Sequence, residues 1–224
     1  MLGPSEEYFF AIMYNHEEIQ RRAACFRLLA ACFCQPEREL FIEEDVCPNL
    51  ARLLQPLSPD AGKAARAMAE ALETLDQERL SVDHAALFLG PFELAAAPYG
   101  SVYLEQSRRL MGDSTMAVRR CYEEAGLAVE IAEAPDHVAL ELEFMHYLLS
   151  CQATALVEGR EGGAADLELR QNEFFHHFLN SWMEDFCRAI RSGTVNPFYL
   201  ALAECLGFFI AACRQIQKTP SAPA

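Results

Sequence analysis

A histidine at the start of a predicted helix is the first feature of this 224-residue chain that could carry chemistry. Pro135, Asp136 and His137 follow one another, and Glu141 lies one turn further along. Proline restrains the backbone at a helix entry, and Asp136 could accept hydrogen bonds from the first backbone N–H groups of the helix. The helix dipole favours a neutral His137 unless a carboxylate, such as that of Glu141, compensates. The segment is either a polar binding site or a plain helix start.

Two Glu-x-x-His pairs suggest a different chemistry. Glu143 with His146, and Glu173 with His176, each place a carboxylate and an imidazole on one helical face. Di-iron four-helix bundles use this pair twice, together with one glutamate from each of two other helices. Acidic helices also produce the two-letter pattern by chance, so solvated positions are the simpler interpretation. A helical di-iron carboxylate protein is therefore one alternative.

Other common site motifs do not occur in the sequence. Gly162-Gly163 is not followed by Lys-Ser/Thr, so there is no P-loop, and there is no GxSxG nucleophile motif. The nine cysteines form no CxxC pair, and Cys32 and Cys34 would point to different faces of a helix. We interpret the cysteines as reduced, mostly buried thiols of a cytoplasmic protein, and we predict neither catalytic residues nor a metal site.

The composition favours a helical protein with a basic partner. Alanine and leucine far outnumber valine and isoleucine, and 52% of the residues are hydrophobic, which argues against disorder. The net charge of −15 argues against a nucleic-acid partner. The N-terminus does not resemble a signal peptide, and the apolar segment 196–213 contains Glu204. We interpret that segment as a core helix and expect no stable membrane insertion.

Capping signals, prolines and glycines divide the chain into predicted helices. A capping box at Asn15 and Glu18 predicts the first start, Ser58-Pro59 a later one, and Ser81 another. The predicted helices lie at 15–35, in short pieces within 37–54, and at 58–75, 81–89, 114–125, 136–158 and 165–191, and a last helix opens at Asn196-Pro197. We predict an all-α, single-domain bundle of about seven to nine helices over residues 15–217. An N-terminal extension (1–14, disordered or an added helix), a loop (90–106), a hinge-like linker (127–135) and a flexible tail (218–224) complete this organisation.

Several stretches of the sequence resemble the TorD/DmsD family of cytoplasmic maturation chaperones for molybdenum-containing redox enzymes. The segment from Glu133 to Met145, with Pro135-Asp136-His137 and Glu141, resembles the family signature. The other resembling stretches are His84-Ala-Ala-Leu87-Phe88 followed by Gly90-Pro91, Pro98-Tyr99-Gly-Ser101-Val-Tyr103-Leu, Asn180-Ser-Trp182 and Pro197-Phe-Tyr199. Family members usually carry an aromatic residue where this chain has His84, and Ala134 loosens the signature slightly.

The resemblance implies a TorD-like helical fold and partner binding without catalysis. The implied partner is the precursor of a molybdopterin-containing oxidoreductase, recognised partly through its twin-arginine leader. The chaperone would hold the apo-enzyme until cofactor insertion and delay its export. Monomers and domain-swapped homodimers both occur in the family, and weak guanine-nucleotide binding has been suggested for it. A helical adaptor without leader specificity is a further alternative.

The hypothetical leader-binding site combines both motifs. Asp136, His137 and Glu141 would form the polar wall of a groove, and loop residues would supply apolar contact. Leu87 and Phe88 are more readily explained as core residues. The full set of candidate leader-binding residues is Asp136, His137, Glu141, Glu133, Pro135, His84, Leu87, Phe88, Tyr99, Ser101 and Tyr103.

Overall fold

The computed structural model describes residues 4–90, 94–105, 112–128 and 133–216, and of residues 4–14 only the backbone. Helices account for the secondary structure of these ranges, which contain no strand. In chain order they are α1 (Pro4–Cys32), α2 (Arg38–Glu43), α3 (Val46–Leu54), α4 (Pro59–Thr74), α5 (Gln77–Phe88), α6 (Gly100–Leu104), α7 (Asp113–Glu124), α8 (Val138–Val157), α9 (Glu161–Phe174), a π-helical turn (Phe175–Leu179), α10 (Asn180–Gly193) and α11 (Pro197–Ile216).

The all-α fold class is confirmed. The segment α9, the π-helical turn and α10 form one continuous helical run. Counted as one, it brings the described residues to ten helices, eight of which have seven or more residues, whereas about seven to nine helices were predicted. The single π-helical turn lies in the middle of the helix predicted at 165–191. Residues 175–179 contain no proline or glycine, so none of the usual helix-breaking signals marks this turn in the sequence.

Side-chain caps mark the starts of α4 and α5. The Ser58 hydroxyl accepts from the backbone N–H of Ala61 at 3.3 Å, with Pro59 in the first helical position, as predicted. The prediction of a start at Ser81 is wrong: α5 begins at Gln77, where the Asp76 carboxylate accepts from Arg79 N at 2.7 Å. An aspartate followed by a polar turn competes well with serine as a cap.

Two further boundaries differ from the predictions. The capping box at Asn15 is wrong, because α1 runs without a break from Pro4 through that residue. The helix predicted to begin at 165 begins at Glu161, so Gly162 and Gly163 lie in the first turn of α9, and the chain turns at Gly159, which has a positive φ of 70°. Glycines in a first turn cost little when the rest of the helix packs well.

The core forms around α8 and α11. Helix α1 packs along α8, and α4 packs along α11. The rings of Phe26 on α1 and Phe209 on α11 meet edge to face with centroids 4.8 Å apart, and both are buried. In the described ranges α11 is the one helix long and apolar enough to span a membrane, and 56% of its apolar window is buried inside the protein, as in a core helix.

Parts of the predicted domain organisation lie outside the described residues. These are residues 1–3, 91–93, 106–111, 129–132 and 217–224, which include the whole predicted tail and the middle of the hinge-like linker. The single domain over 15–217 and the hinge at 127–135 therefore stay predictions.

Candidate functional site

Two distant segments pair at the start of α8. Gly100 N donates to the Asp136 carbonyl oxygen at 2.9 Å, and Val138 N donates to the Pro98 carbonyl oxygen at 2.8 Å. These bonds form an isolated antiparallel bridge between Tyr99 and His137. We call this pairing of residues 98–101 with residues 136–138 the clasp. It joins the loop that contains α6 to the first residues of α8, so it brings two of the predicted motifs into contact.

The Asp136 side chain strengthens the clasp from inside. Its Oδ2 accepts from Ser101 N at 2.7 Å, and the residue is only 1% exposed. The prediction that Asp136 caps its own helix is therefore wrong, because its carboxylate binds the N-terminal end of α6 instead. Its Oδ1 has no hydrogen-bond partner among the described residues, and neither has the buried Ser101 hydroxyl.

His137, not Asp136, caps α8. Its Nδ1 accepts from Ala139 N at 3.2 Å, which requires that this nitrogen carry no proton. Burial lowers the pKa of the imidazole, against the opposing influence of Glu133 and Asp136. The lowered pKa agrees in direction with the predicted neutral His137. Its main cause is burial, whereas the sequence analysis attributed it to the helix dipole.

Glu141 faces the protein interior rather than His137. Its Oε2 accepts from Trp182 Nε1 at 3.1 Å, and the residue is 1% exposed. Burial raises the pKa of this carboxyl well above its usual range, Trp182 lowers it, and the nearby Asp136 raises it further. The prediction of Glu141 as the charge partner of His137 is therefore wrong. The Glu141–Trp182 hydrogen bond links α8 to α10 beneath the clasp.

Gly100 permits this close packing. A Cβ atom at this position would lie 3.0 Å from Trp182 Nε1 and 3.3 Å from Glu141 Oε1. The backbone of α6 thus approaches the Glu141–Trp182 hydrogen bond directly. Tyr103, one turn along α6, stacks on the Trp182 ring with centroids 5.5 Å apart.

The outer side of the clasp has polar and aromatic side chains. Glu133 is exposed, and its Oε2 accepts from the Tyr99 hydroxyl at 3.0 Å. The Tyr99 ring meets the His137 ring edge to face at 5.3 Å. Burial, followed by Glu133, raises the pKa of Tyr99 to about 12, so this hydroxyl is a stable donor. Tyr99, Tyr103 and His137 are each half-buried.

The second motif, on α5, lies in the core. His84, Leu87 and Phe88 are all buried, as the core interpretation of Leu87 and Phe88 predicts. The His84 ring meets the Phe88 ring edge to face at 5.2 Å, so the imidazole packs as an aromatic residue would. Burial lowers its pKa, while the Phe33 carbonyl, 3.5 Å from Nε2, raises it.

Two residues that the sequence analysis did not assign hold the site together. Phe186 contacts the rings of Phe88, Tyr103 and Trp182 at centroid distances of 6.1, 6.1 and 5.2 Å, so it connects the two motifs. The buried Tyr122 hydroxyl donates to the Pro135 carbonyl oxygen at 2.8 Å. In the sequence, one signal could have indicated the role of Phe186, namely its i, i+4 spacing from the only tryptophan of the chain.

An open groove of about 440 Å³ lies beside the clasp, between α6 and α10. Its carboxylates belong to Glu105 and Asp185. Asp185 forms an ion pair with Arg188, and Glu105 accepts from the N–H and the hydroxyl of Ser114. The groove is lined by Val102, Tyr103, Glu105, Asp185, Arg188, Ala189 and Ser192.

The structure does not bring the Glu-x-x-His residues together as a metal site. Glu143, Glu173 and His176 are exposed, and His146 Nδ1 lies 3.0 Å from the Ala23 carbonyl oxygen. Within the described ranges, no group of three or more His, Cys, Asp or Glu side chains is placed to hold a metal ion. The di-iron interpretation therefore has no support in the geometry.

A comparison with solved structures identifies the fold. The chain matches a protein from Archaeoglobus fulgidus described as a redox enzyme maturation protein, with a TM-score of 0.52 and 19% sequence identity, over 82% of this chain and 91% of that one. This likeness concerns the fold alone. It shows the helical architecture of a redox enzyme maturation protein.

Sequence comparison then shows the family. The family described as nitrate reductase delta subunit matches residues 54–188, which include the clasp and Trp182. The chaperone protein TorD of Vibrio parahaemolyticus is 28% identical over 140 residues, 62% of each chain. The Tat proofreading chaperone DmsD of Salmonella typhi is 30% identical over 148 residues, 65% of this chain and 66% of that one. The chain belongs to this family of TorD and DmsD chaperones, as its motifs predict.

Proposed function

We propose that this protein is a cytoplasmic chaperone that binds the twin-arginine leader and the apo-form of a molybdopterin-containing oxidoreductase subunit. It assists cofactor insertion, delays export until the subunit is mature, and acts by binding without catalysing a reaction. Family membership and the chaperone names of the relatives support the general role. The observation that supports leader binding is the clasp, where polar and aromatic side chains stand beside an open groove.

The candidate residues divide into two groups by burial. Glu133 is exposed, and Tyr99, Tyr103 and His137 are half-buried, so these four are available to contact a peptide. Asp136, Glu141 and Ser101 are buried, and they act as positioning residues that hold the clasp and α6 in place. The remaining candidates, which are also buried, support the same surface from the core: His84, Leu87, Phe88 and Pro135.

The chemistry of this surface suits the two parts of a twin-arginine leader. A guanidinium group pairs well with carboxylates, and Glu133, Glu105 and Asp185 present carboxylates on or beside the clasp. The half-buried Tyr99 and Tyr103 rings offer apolar contact for the stretch that follows the arginines. The net charge of −15 attracts such a basic segment over a longer range.

The test is a titration of a fluorescent twin-arginine leader peptide against the protein and two charge-matched variants. Glu133→Gln removes the exposed carboxylate that accepts from Tyr99 of the clasp, whereas Glu73→Gln removes an exposed carboxylate on α4. We expect Glu133→Gln to weaken binding about 3- to 10-fold, as for a partly exposed charge pair, and Glu73→Gln to leave it unchanged.

A second peptide, with both arginines replaced by glutamine, serves as the control for leader specificity. It should bind more weakly than the parent peptide, and the difference should shrink as the salt concentration rises. Equal affinity for both peptides would favour a helical adaptor without leader specificity. Equal affinity of both protein variants would remove the clasp from the binding site.

A further inference from the structure

A pocket of about 190 Å³ lies between α7, α8 and α9, apart from the clasp. Three phenylalanine rings line it, and we call it the phenylalanine pocket. Phe144 and Phe174 are buried and meet edge to face with centroids 4.7 Å apart, and the half-buried Phe178 ring is centred 5.4 Å from that of Phe174. A cavity of about 150 Å³ can hold a benzene molecule, so this pocket has room for one ring-sized apolar body.

The π-helical turn (Phe175–Leu179) lies at this pocket, since His177 and Phe178 belong to both. Turns of this kind are rare, and they occur frequently at functional sites. Glu173, which the di-iron interpretation singled out, also lines the pocket. The phenylalanine pocket is therefore a candidate site that neither the clasp nor the di-iron interpretation explains.

Two carboxylates without partners stand at the pocket. Glu124 and Glu173 both line it and are exposed, and within the described ranges neither side chain accepts a hydrogen bond or forms an ion pair. The one guanidinium among the lining residues is that of Arg170, whose Nη1 donates to the Glu124 carbonyl oxygen at 3.3 Å. Burial raises the pKa of the Cys121 thiol on the pocket wall, and Glu124 and Glu173 raise it further, against the influence of Arg120. The negative potential of both carboxylates therefore reaches into the pocket.

We propose that the phenylalanine pocket binds an organic cation, namely an ammonium or guanidinium group attached to a ring-sized apolar body. The apolar body lies among the three rings, and the cationic group pairs with Glu124 and Glu173. Aromatic faces attract a cation, and a carboxylate accepts a strong hydrogen bond from it. An anion would meet two unpaired carboxylates and a single guanidinium that α7 already engages, so the pocket selects against it.

This inference does not rest on the proposed function, because the pocket and the clasp are separate. Tyr122 lies between them: its ring is centred 4.6 Å from that of Phe144, and its hydroxyl donates to the Pro135 carbonyl oxygen. The same cation chemistry can come from two sources, a free amine or a basic side chain of a protein partner. The experiment below distinguishes the two.

The test is a titration of the isotope-labelled full chain with phenethylammonium, followed by amide NMR. We expect shifts concentrated in residues 121–124 and 170–178, with a dissociation constant of about 0.1–1 mM, as for a good ligand of this size. Phenethyl alcohol has the same shape without the charge, and it should bind about 5-fold more weakly or worse. Phenylpropionate carries the opposite charge and should not bind.

Three variants test the assignment to this pocket. Glu173→Gln removes one of the carboxylates and should weaken phenethylammonium binding about 2- to 5-fold, as for an exposed ion pair. Phe178→Leu keeps an apolar side chain but removes the ring, and the expected loss is also about 2- to 5-fold. Glu168→Gln removes an exposed carboxylate of α9 outside the pocket and should leave the affinity unchanged.

Competition with the twin-arginine leader peptide then identifies the source of the cation. If the peptide displaces phenethylammonium, the pocket takes a basic side chain of the client. If both bind together, the pocket takes a free amine. The proposal is overturned if phenethylammonium causes no shifts at millimolar concentration, or if the alcohol or phenylpropionate binds as tightly. Equal affinity of Glu173→Gln and Glu168→Gln would overturn it as well, whether or not the protein binds a leader.

Discussion

Replacing Asp136 with alanine should destabilise the protein, because the bond it removes is fully buried. Asp136 Oδ2 accepts from Ser101 N at 2.7 Å, and the two residues are 1% and 0% exposed. In the intact protein, solvent therefore does not reach this hydrogen bond. A hydrogen bond to a carboxylate contributes about 1.5–3 kcal/mol, and an unsatisfied buried donor costs about 1–3 kcal/mol. Since the two figures describe overlapping effects, we expect the free energy of unfolding to fall by about 2–4 kcal/mol.

Urea denaturation followed by circular dichroism measures this change. With a typical slope of about 1–3 kcal/mol per molar urea, the midpoint should fall by about 1 M or more. Asp136→Asn keeps an oxygen that can accept from Ser101 N, so its loss should be about half as large. Glu133→Ala removes an exposed carboxylate beside the clasp, and the free energy of unfolding should change by no more than about 0.5 kcal/mol.

The reasoning fails if Asp136→Ala unfolds at the same urea concentration as Glu133→Ala. In that case the two backbone bonds of the clasp, from Gly100 N and Val138 N, would hold α6 without the side chain. Leader affinity is then the second measurement. Because Asp136 is buried, any loss of affinity in Asp136→Ala should accompany the loss of stability, whereas Glu133→Gln should lose affinity alone.

Two predictions concern the buried titratable groups. Burial raises the pKa of Glu141 above its ordinary value of 4.5, so the parent protein loses stability as the pH rises above 4.5. The isosteric variant Glu141→Gln can still accept from Trp182, and its stability does not change with pH for this reason. The variant's advantage in unfolding free energy should therefore grow from pH 4 to pH 8, and a difference that is constant with pH would contradict the assignment. Burial lowers the pKa of His84 below 6.5, so the parent loses stability as the pH falls through this region. From pH 8 to pH 5, the melting temperature of His84→Phe should rise increasingly relative to that of the parent. A difference in melting temperature that stays constant with pH would show that His84 does not contribute to the acid sensitivity.

The helical fold could be predicted because its signals are local. The Ser58-Pro59 start of α4 depends on groups within a few residues of each other, and so does the start of α11, where Asn196 Oδ1 accepts from Phe198 N at 2.9 Å. The caps at Asp76 and His137 were missed because several nearby side chains could cap the same helix, and tertiary packing decides which of them does. The π-helical turn after Phe174 was missed because no proline or glycine marks it.

The sequence by itself determined that the chain forms a helical bundle, that its motifs are those of the TorD/DmsD family, and that Asp136 and His137 stand at a helix start. Only the tertiary structure decided what these residues contact. Asp136 binds Ser101, 35 positions away, and Glu141 binds Trp182, 41 positions away. Such partners depend on how α6, α8 and α10 pack, and no local pattern specifies that packing. Burial also decides which carboxylates can face a partner, since it encloses Asp136 and Glu141 and leaves Glu133 in contact with water.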